Sequence, residues 1–393
     1  LTGAVPPPCW TKALEEVTME LELDPNGSVI KLKWLTDGGP RSRPILLETS
    51  LIRTRSREVR DDLNALTAYV REHCGFDAAA DPGWVKYTKI LNRLREDGRA
   101  LCCALFSFED KQAQHLLEEL KALPLGSEIK VRCSDDVVTL PLGFVYWDDG
   151  AATEVGEAGP SRGDFAGFWL NQFDITMLID GSGCEPEELI VDPTSFRSLY
   201  ALHRGELEAV YDYIGDDRNK LALLTNIEFK ASYDWRSAER ACNEMASWNS
   251  VMFVFAHSDG DHLELDDSRI DSNRFRDMLR RGHRPERAML LILNCCLSVA
   301  GEEHCSLLKA VAERGFCGLI GTEAEILNTH AIRCGTRLMW GLCAEGLTLG
   351  TAFDRMQSDA ELFPLNLLYT CYAERDFRLQ KPIVMLHGAQ NGA

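Results

Sequence analysis

Two short apolar runs in the carboxy-terminal half end on residues able to do chemistry. Residues 250–265 read SVMFVFAHSDGDHLEL, with the apolar part stopping at His257, and residues 289–301 read MLLILNCCLSVAG, stopping at Cys295 and Cys296. A thiol becomes a useful nucleophile when an imidazole takes its proton, or holds the thiolate beside an imidazolium, within hydrogen-bond reach. A Cys/His pair for acyl transfer is the chemistry these residue types fit. Successive strand side chains point to opposite faces, so only one of the vicinal cysteines can look toward His257, and Cys296, the later one, is the candidate. The oxyanion of acyl transfer needs main-chain N–H donors, and the amide of Cys296 plus one from the tight loop after His257 are placed to serve. The plainer alternative is that His257 caps a strand and Cys296 packs a core.

The elements that must position these residues are strands. Both runs are too short for helices and rich in β-branched and aromatic residues, as expected of strands buried on both faces. Neighbouring strands of an open parallel sheet release their side chains at one carboxyl edge, where such sheets bind ligands. Around them the pattern predicts strand Val251–Ala256, helix Ser272–Arg281, strand Ala288–Asn294, helix Glu302–Arg314, strand Phe316–Ile320 and helix Ile326–Cys343, a run of βαβ units. Upstream it predicts a hairpin over Val17–Leu35, helices over Ser56–Cys74 and Asp81–Asp97, a strand over Arg99–Phe106, a helix over Glu109–Leu123 and a hairpin over Glu128–Tyr146. An exposed acidic loop follows over Asp148–Asp164, then strand Phe173–Ile179, helix Ser195–Ile214, strand Leu221–Phe229 and helix Asp234–Trp248. Helix Thr348–Phe363 and a strand within Leu365–Leu379 close the chain. The expected organisation is two α/β halves, 1–147 and 165–393, joined through the acidic loop 148–164.

Composition narrows the class. A chain of 393 residues, 45% hydrophobic, can bury a large core. A formal charge of -19 argues against nucleic acid or an anionic membrane surface as the main partner, since either needs a basic face. No apolar run approaches the roughly 20 residues that span a bilayer, and no signal core stands at the amino end, so the expected localisation is cytoplasmic. The chain opens on Leu1, which leaves room for upstream residues or a partner domain. The 14 cysteines are scattered through apolar segments without Cys-x-x-Cys spacing, as expected of buried thiols in a reducing compartment rather than of a zinc site. No phosphate-cradling glycine loop or dinucleotide fingerprint follows any strand.

The segments FVFAHSDG (253–260) and LILNCCLS (291–298) resemble the CHAT domain family, caspase-like cysteine proteases related to caspases, metacaspases and separase. In that family an apolar-Ala-His-Gly strand supplies the base and an Asn-Ala-Cys-x-Ser/Thr strand the nucleophile. GFCGLIGTEAEI (315–326), EGLTLGTAF (345–353) and LPLGFVY (140–146) are similar to its further motifs, and the order covers most of residues 17–380. The resemblance implies a caspase-like three-layer α/β sandwich around a mostly parallel sheet, with an inactive amino-terminal half and an active carboxy-terminal half. It implies His257 as base and Cys296 as nucleophile, and neither cofactor nor metal. It further implies a protein substrate and activation by a sensor domain or partner.

Two departures bear on mechanism. The family has Gly after the histidine and this chain has Ser258, so either the Ser258 amide still serves the oxyanion or Gly260 takes over. Two residues before the nucleophile, where related proteases line the substrate pocket, stands the neutral Asn294. Carboxylates from Asp259, Asp261, Glu323 and Glu325, in loops after the strands, would then favour a basic substrate residue, unless they are ordinary solvated charges. The resulting expectation is a CHAT-type cysteine endopeptidase cleaving a specific protein partner. The alternative is a catalytically silent α/β interaction module of the same fold.

Overall fold

Two six-stranded sheets organise the chain, in a computed structural model that describes residues 16–383 apart from 24–27, 37–38, 41–42, 74–80, 134–138, 148–158, 180–181, 226–228, 267, 283, 285, 301–306 and 313–314. The amino-terminal unit runs β1 (Glu16–Leu23), β2 (Val29–Thr36), β3 (Gly39–Pro40), β4 (Ile45–Glu48), α1 (Thr49–Glu72), α2 (Val85–Leu105), α3 (Lys111–Lys121), β5 (Ser127–Cys133), α4 (Trp169–Gln172) and β6 (Phe173–Ile179). Its sheet has the order β3-β2-β1-β5-β6, with β4 also on β2. β1, β5 and β6 are parallel, while β2 is antiparallel to β1.

The carboxy-terminal unit begins with β7 (Ile190–Val191), β8 (Phe196–Leu202), α5 (Arg204–Val210), α6 (Asp217–Thr225), β9 (Phe229–Ser232), α7 (Trp235–Glu244) and β10 (Asn249–Phe255). A small three-stranded sheet of β11 (His257–Ser258), β12 (His262–Leu265) and β13 (Ser268–Asp271) leads into α8 (Ser272–Arg281) and β14 (Met289–Asn294). The chain continues through β15 (Phe316–Thr322), α9 (Asn328–Cys343), α10 (Leu349–Gln357), β16 (Tyr369–Ala373) and β17 (Arg378–Leu379), the last paired with β7. The main sheet has the order β16-β15-β14-β10-β8-β9, parallel throughout except for β16. This is a mixed α/β protein with central, mostly parallel sheets, as expected from the alternating elements.

The central strands need no polar face because helices pack on both sides, with Trp235 of α7 and Phe275 of α8 in the core of one face and α9 and α10 on the other. All six residues of β14 and six of the seven in β10 are buried, which is why they read as continuous apolar runs. One face of the carboxy-terminal sheet shares a core with the amino-terminal unit, from Met19 and Leu63 to Met252 and Leu291. The other face packs Val251, Phe253 and Ile292 against Ile332 and Leu338 of α9 and Phe353 of α10. Among the described residues no helix is long and apolar enough to cross a membrane.

Several expectations are corrected. Residues 99–106, expected as a strand, are the end of α2 and its C-cap, Phe106. Gly98 is not a break there but a point of close approach, since a Cβ on it would sit 2.5 Å from the Phe144 carbonyl oxygen. The hairpin over 128–146 is absent: β5 lies between β1 and β6, parallel to both, and 142–144 form a 3-10 turn, while the expected turn Ser134–Asp136 lies outside the described residues. The helix over 195–214 is β8 followed by the short α5, because FRSLYAL fills a doubly covered strand position. The strand over 221–229 is mostly α6, whose first residue, Asp217, is buried against Arg333 (3.2 Å) and Arg337 (3.0 Å) of α9. That tertiary anchor has no local signature. Of the helix over 302–314, residues 301–306 lie outside the described residues and 307–311 form a 3-10 turn. β6 closes the amino-terminal sheet, so the division between the sheets falls after Ile179, beyond the acidic segment, whose residues 148–158 lie outside the described residues.

Candidate active site

Strand register brings three side chains to one edge. Phe255 of β10 is level with Leu202 of β8 on one side and with Asn294 of β14 on the other. The next residues on these adjoining parallel strands are His203, the 256–257 pair and the 295–296 pair. The β10/β14 register ends at Phe255 and Asn294, so His257 and Cys296 each lie two residues beyond the last paired position of adjoining strands. The His203 amide donates to the Phe255 carbonyl (2.7 Å), which keeps the ends of β8 and β10 together. The His203 and His257 rings meet edge to face, with centroids 4.8 Å apart.

β14 ends in a tight turn that sorts the vicinal cysteines. Leu297 has φ 54°, in the left-handed region that costs a side-chain-bearing residue about 1–2 kcal/mol, and its N–H is tied to the Ala324 carbonyl at 3.1 Å. Ser298 is fully buried, its hydroxyl donating to Leu293 O (3.0 Å) and accepting from the Thr322 amide (2.8 Å). Thr322 Oγ1 in turn donates to the Cys295 carbonyl at 2.6 Å. Cys295 is thereby packed inward, where burial pushes its thiol far above the ordinary range. Cys296 stays part-exposed, and its sulfur accepts from the Ile326 amide (3.4 Å) and donates toward the Ile326 carbonyl (3.6 Å). Burial pushes the Cys296 thiol up as well, with the Ile326 N–H acting against it.

His257 is held by a group that sequence reading missed. Its Nε2 donates to Glu206 Oε1 at 3.0 Å, and the other carboxylate oxygen accepts from Asn328 Nδ2 at the start of α9. Glu206 sits on the short α5, whose N-terminal amides of Arg204 and Gly205 donate to Asp266 Oδ1 (2.8 and 3.3 Å). A carboxylate can only accept, so Nε2 must carry the proton, leaving Nδ1 as the basic nitrogen. No hydrogen bond joins Cys296 Sγ to His257 in this conformation; the sulfur is held by Ile326 and the imidazole by Glu206. The signal for Glu206 was the HRGE sequence at 203–206, hidden when 195–214 was read as one helix.

The loop after His257 is internally bonded. The Gly260 amide donates to Ser258 Oγ at 3.0 Å, and Gly260 takes φ +92°, a conformation that favours glycine. Asp259 Oδ1 accepts from the amides of Asp261 (3.1 Å) and His262 (2.8 Å), and Oδ2 pairs with Arg269 at 2.6 Å. Burial works to raise the Asp259 carboxyl, but the His262 and Asp261 amides outweigh it and hold it below the ordinary value. A depressed folded pKa means the loop's support is complete above the unfolded value of about 3.9 and is lost as pH falls through the lower folded value. Exchange protection of the Asp261 and His262 amides is therefore expected at neutral pH and to fall in that acid window. Hydrogen exchange across pH 2–6 checks this; equal protection throughout would mean that the carboxylate does not hold the loop.

The other expected substrate contacts are placed differently. Asn294 is fully buried, its Nδ2 donating to Ala331 O (2.6 Å) and its Oδ1 accepting from the Tyr369 hydroxyl, so in this conformation it joins β14 to α9 and β16 rather than facing solvent. Glu323 is fully buried too, bonded by Arg60 Nε (3.0 Å) and Nη2 (2.8 Å) from α1 and by Thr370 Oγ1 (3.0 Å). Glu325 is exposed at its carboxylate, 3.5 Å from Arg71, while its amide donates to Asn64 Oδ1 and its carbonyl accepts from Thr67 Oγ1, both at 2.8 Å. Arg60, Asn64, Thr67 and Arg71 form one face of α1, spaced by four, three and four residues. That face grips the segment leading to Ile326, and so to the thiol. The Asp261 carbonyl accepts from the Ser272 amide (3.0 Å) at the start of α8. Among the described residues no group of three or more His, Cys, Asp or Glu side chains is arranged to hold a metal ion.

No known family profile matches the chain, and no curated protein resembles it significantly in sequence. Among solved structures, two of the separase–securin complex of Saccharomyces cerevisiae, at 3.0 and 2.6 Å resolution, align with 92% of this chain at 9% identity, with TM-scores of 0.47 and 0.45. The alignment covers 30% of the other chain in each, so this chain spans less than a third of those chains. A structure described only as that of a protease aligns with 71% of this chain and 60% of its own at 9% identity, with a TM-score of 0.32.

Proposed function

We propose that the protein is a caspase-like cysteine endopeptidase of the CHAT type, with Cys296 as nucleophile and His257 as base, cleaving a protein substrate inside the cell. The observation that supports this reading is that β10 and β14 end level, at Phe255 and Asn294, so that the segments bearing His257 and Cys296 leave adjoining strands at one carboxyl edge, with the imidazole bonded to a carboxylate. Glu206 Oε1 keeps the proton on Nε2, so Nδ1 can accept the thiol proton. The thiolate attacks the scissile carbonyl, the imidazolium returns the proton to the leaving amine, and an acyl-enzyme remains. Water, deprotonated by the same imidazole, then hydrolyses the thioester and restores the thiol. The amides of Cys296 and Ser258 are the oxyanion donors in this scheme, since the Gly260 amide is taken by the Ser258 hydroxyl.

The conformation described is the resting one. The thiol is protonated and held by Ile326, so substrate or an activating partner must draw the sulfur from Ile326 toward Nδ1. Of the carboxylates proposed to select a basic residue, Asp259 and Glu325 keep solvent exposure while Glu323 is sealed. A contact through the exposed pair would be screened by water and worth up to about 1 kcal/mol. A peptide library, together with trapping by a peptidyl electrophile, tests the reading. Cleavage with the label on Cys296 supports it, whereas neither cleavage nor label would leave the silent interaction module.

Glu206 gives this mechanism a further consequence. Glu206→Ala leaves the base in place but unoriented, and is expected to lower kcat about 10- to 100-fold, a part of what the base itself contributes. KM should hold steady. Steady-state kinetics over pH 5–9 check this, and an unchanged kcat and pH profile would make the His257–Glu206 contact merely structural.

A further inference from the structure

We propose that Cys184 and Cys317 form an oxidisable dithiol, a modification site at which a small-molecule disulfide converts two thiols into a crosslink between the segment joining the two sheets and strand β15. Their sulfurs lie 3.1 Å apart, about 1 Å beyond the roughly 2.05 Å of a disulfide bond. The main chain on both sides fixes this approach. The Gly183 amide donates to Phe316 O (2.8 Å) and the Gly315 amide to Gly183 O (3.0 Å), which laces the joining segment along the start of β15. Gly183 takes φ +122°, open to glycine alone in practice, and the next residue delivers its sulfur 3.3 Å from Gly315 O. Cys317 is anchored in turn by the Glu374 amide, which donates to its carbonyl at 2.7 Å.

The two thiols differ in access, and that sets the order of events. Cys184 is part-exposed and Cys317 is buried. Burial, and then the neighbouring Cys184 thiol, push the Cys317 thiol well above its ordinary value, so it reacts poorly with outside reagents. Cys184 therefore loses its proton and attacks the reagent disulfide, forming a mixed disulfide and expelling one thiolate, which takes up a proton. The Cys317 sulfur then attacks the Cys184 sulfur, the protein S–S bond forms, and the second thiolate leaves with the Cys317 proton. In sum, two protein thiols are oxidised by two electrons, and one small disulfide is reduced to two thiols.

The bond would join residues 133 positions apart and close a loop that contains β8, β10 and β14 with both His257 and Cys296. A loop of that length restricts the unfolded chain strongly. The crosslink forms at the opposite end of β15 from Thr322 and leaves the candidate active edge untouched.

The test treats the full chain with glutathione disulfide, blocks remaining thiols, and maps peptides without reduction. The expected result is one crosslinked pair holding Cys184 and Cys317, lost on reduction, with the melting temperature raised by roughly 5 °C or more. Cys184→Ser, a change at a part-exposed position, should abolish both the crosslink and the rise while leaving Cys317 unmodified. A stable mixed disulfide on Cys184, both thiols still free at equilibrium, or pairing of either with another cysteine would overturn the proposal.

Discussion

Cys296→Ala is expected to remove peptide cleavage by about 10⁴-fold or more, and His257→Ala to match it, because nucleophile and base act as a unit. The double variant should be no worse than either single one. Cys295→Ala should keep most of the activity. Its thiol is buried, and the carbonyl that binds Thr322 Oγ1 belongs to the main chain and survives the substitution. Turnover of a cleavable peptide measures all four proteins, and the rate of thiol labelling at Cys296 gives a reading independent of substrate. An inactive Cys295→Ala beside an active Cys296→Ala would reverse the facing of the two cysteines. Full activity in His257→Ala would remove the imidazole from the mechanism and make its contact with Glu206 structural.

The strands that carry these residues were legible because their burial is uniform. In β10 and β14 the apolar run, its length and its abrupt end all report one condition, a parallel strand covered on both faces. The same condition misled elsewhere. β8 is buried along its length except at Arg197, yet its run continues into the HRGE turn and α5, and the summed pattern resembles a single helix. With β8 hidden, His203 and Glu206 were hidden too. α2 shows the converse error, one helix read as a helix and a strand, and within it Gly98 admits the Phe144 carbonyl. The acidic residues near the site could be placed in loops but not assigned tasks. Glu323 and Asp259 look alike in sequence, and only Arg60, 263 positions before Glu323, makes the former a buried pair while local amides make the latter a loop brace. The acidic composition of residues 148–164 suggested a boundary there, whereas pairing of β5 with β6 carries the first sheet past that segment.

The Arg60–Glu323 pair is expected to be the costliest polar contact to break from one side. Glu323 has no solvent exposure and Arg60 little, so truncating Arg60 leaves a carboxylate that must stay charged without its partner or take up a proton. Thr370 Oγ1 remains as one donor and does not replace a guanidinium that gives two bonds to Oε2. Arg60→Ala should therefore destabilise the protein by about 3–5 kcal/mol, the usual cost of uncovering a buried charge, and Glu323→Gln by less, since the arginine keeps Thr139 as a second partner. Joining Arg60→Met to Glu323→Gln should recover most of the loss, because no buried charge is then left unpaired. Denaturant unfolding of the three variants measures this. If Arg60→Ala cost under 1 kcal/mol, Glu323 would have to be solvated in solution, and the grip of α1 on the segment that ends at Ile326 would be looser than the hydrogen bonds of Asn64 and Thr67 indicate. That grip also ties stability to chemistry. The same segment supplies both main-chain contacts to the Cys296 sulfur, so loosening it should raise the rate at which Cys296 is alkylated, even where the folded protein remains the major species. An alkylation rate unchanged in an Arg60→Ala protein that is clearly destabilised would uncouple α1 from the thiol and confine the pair to holding the two units together.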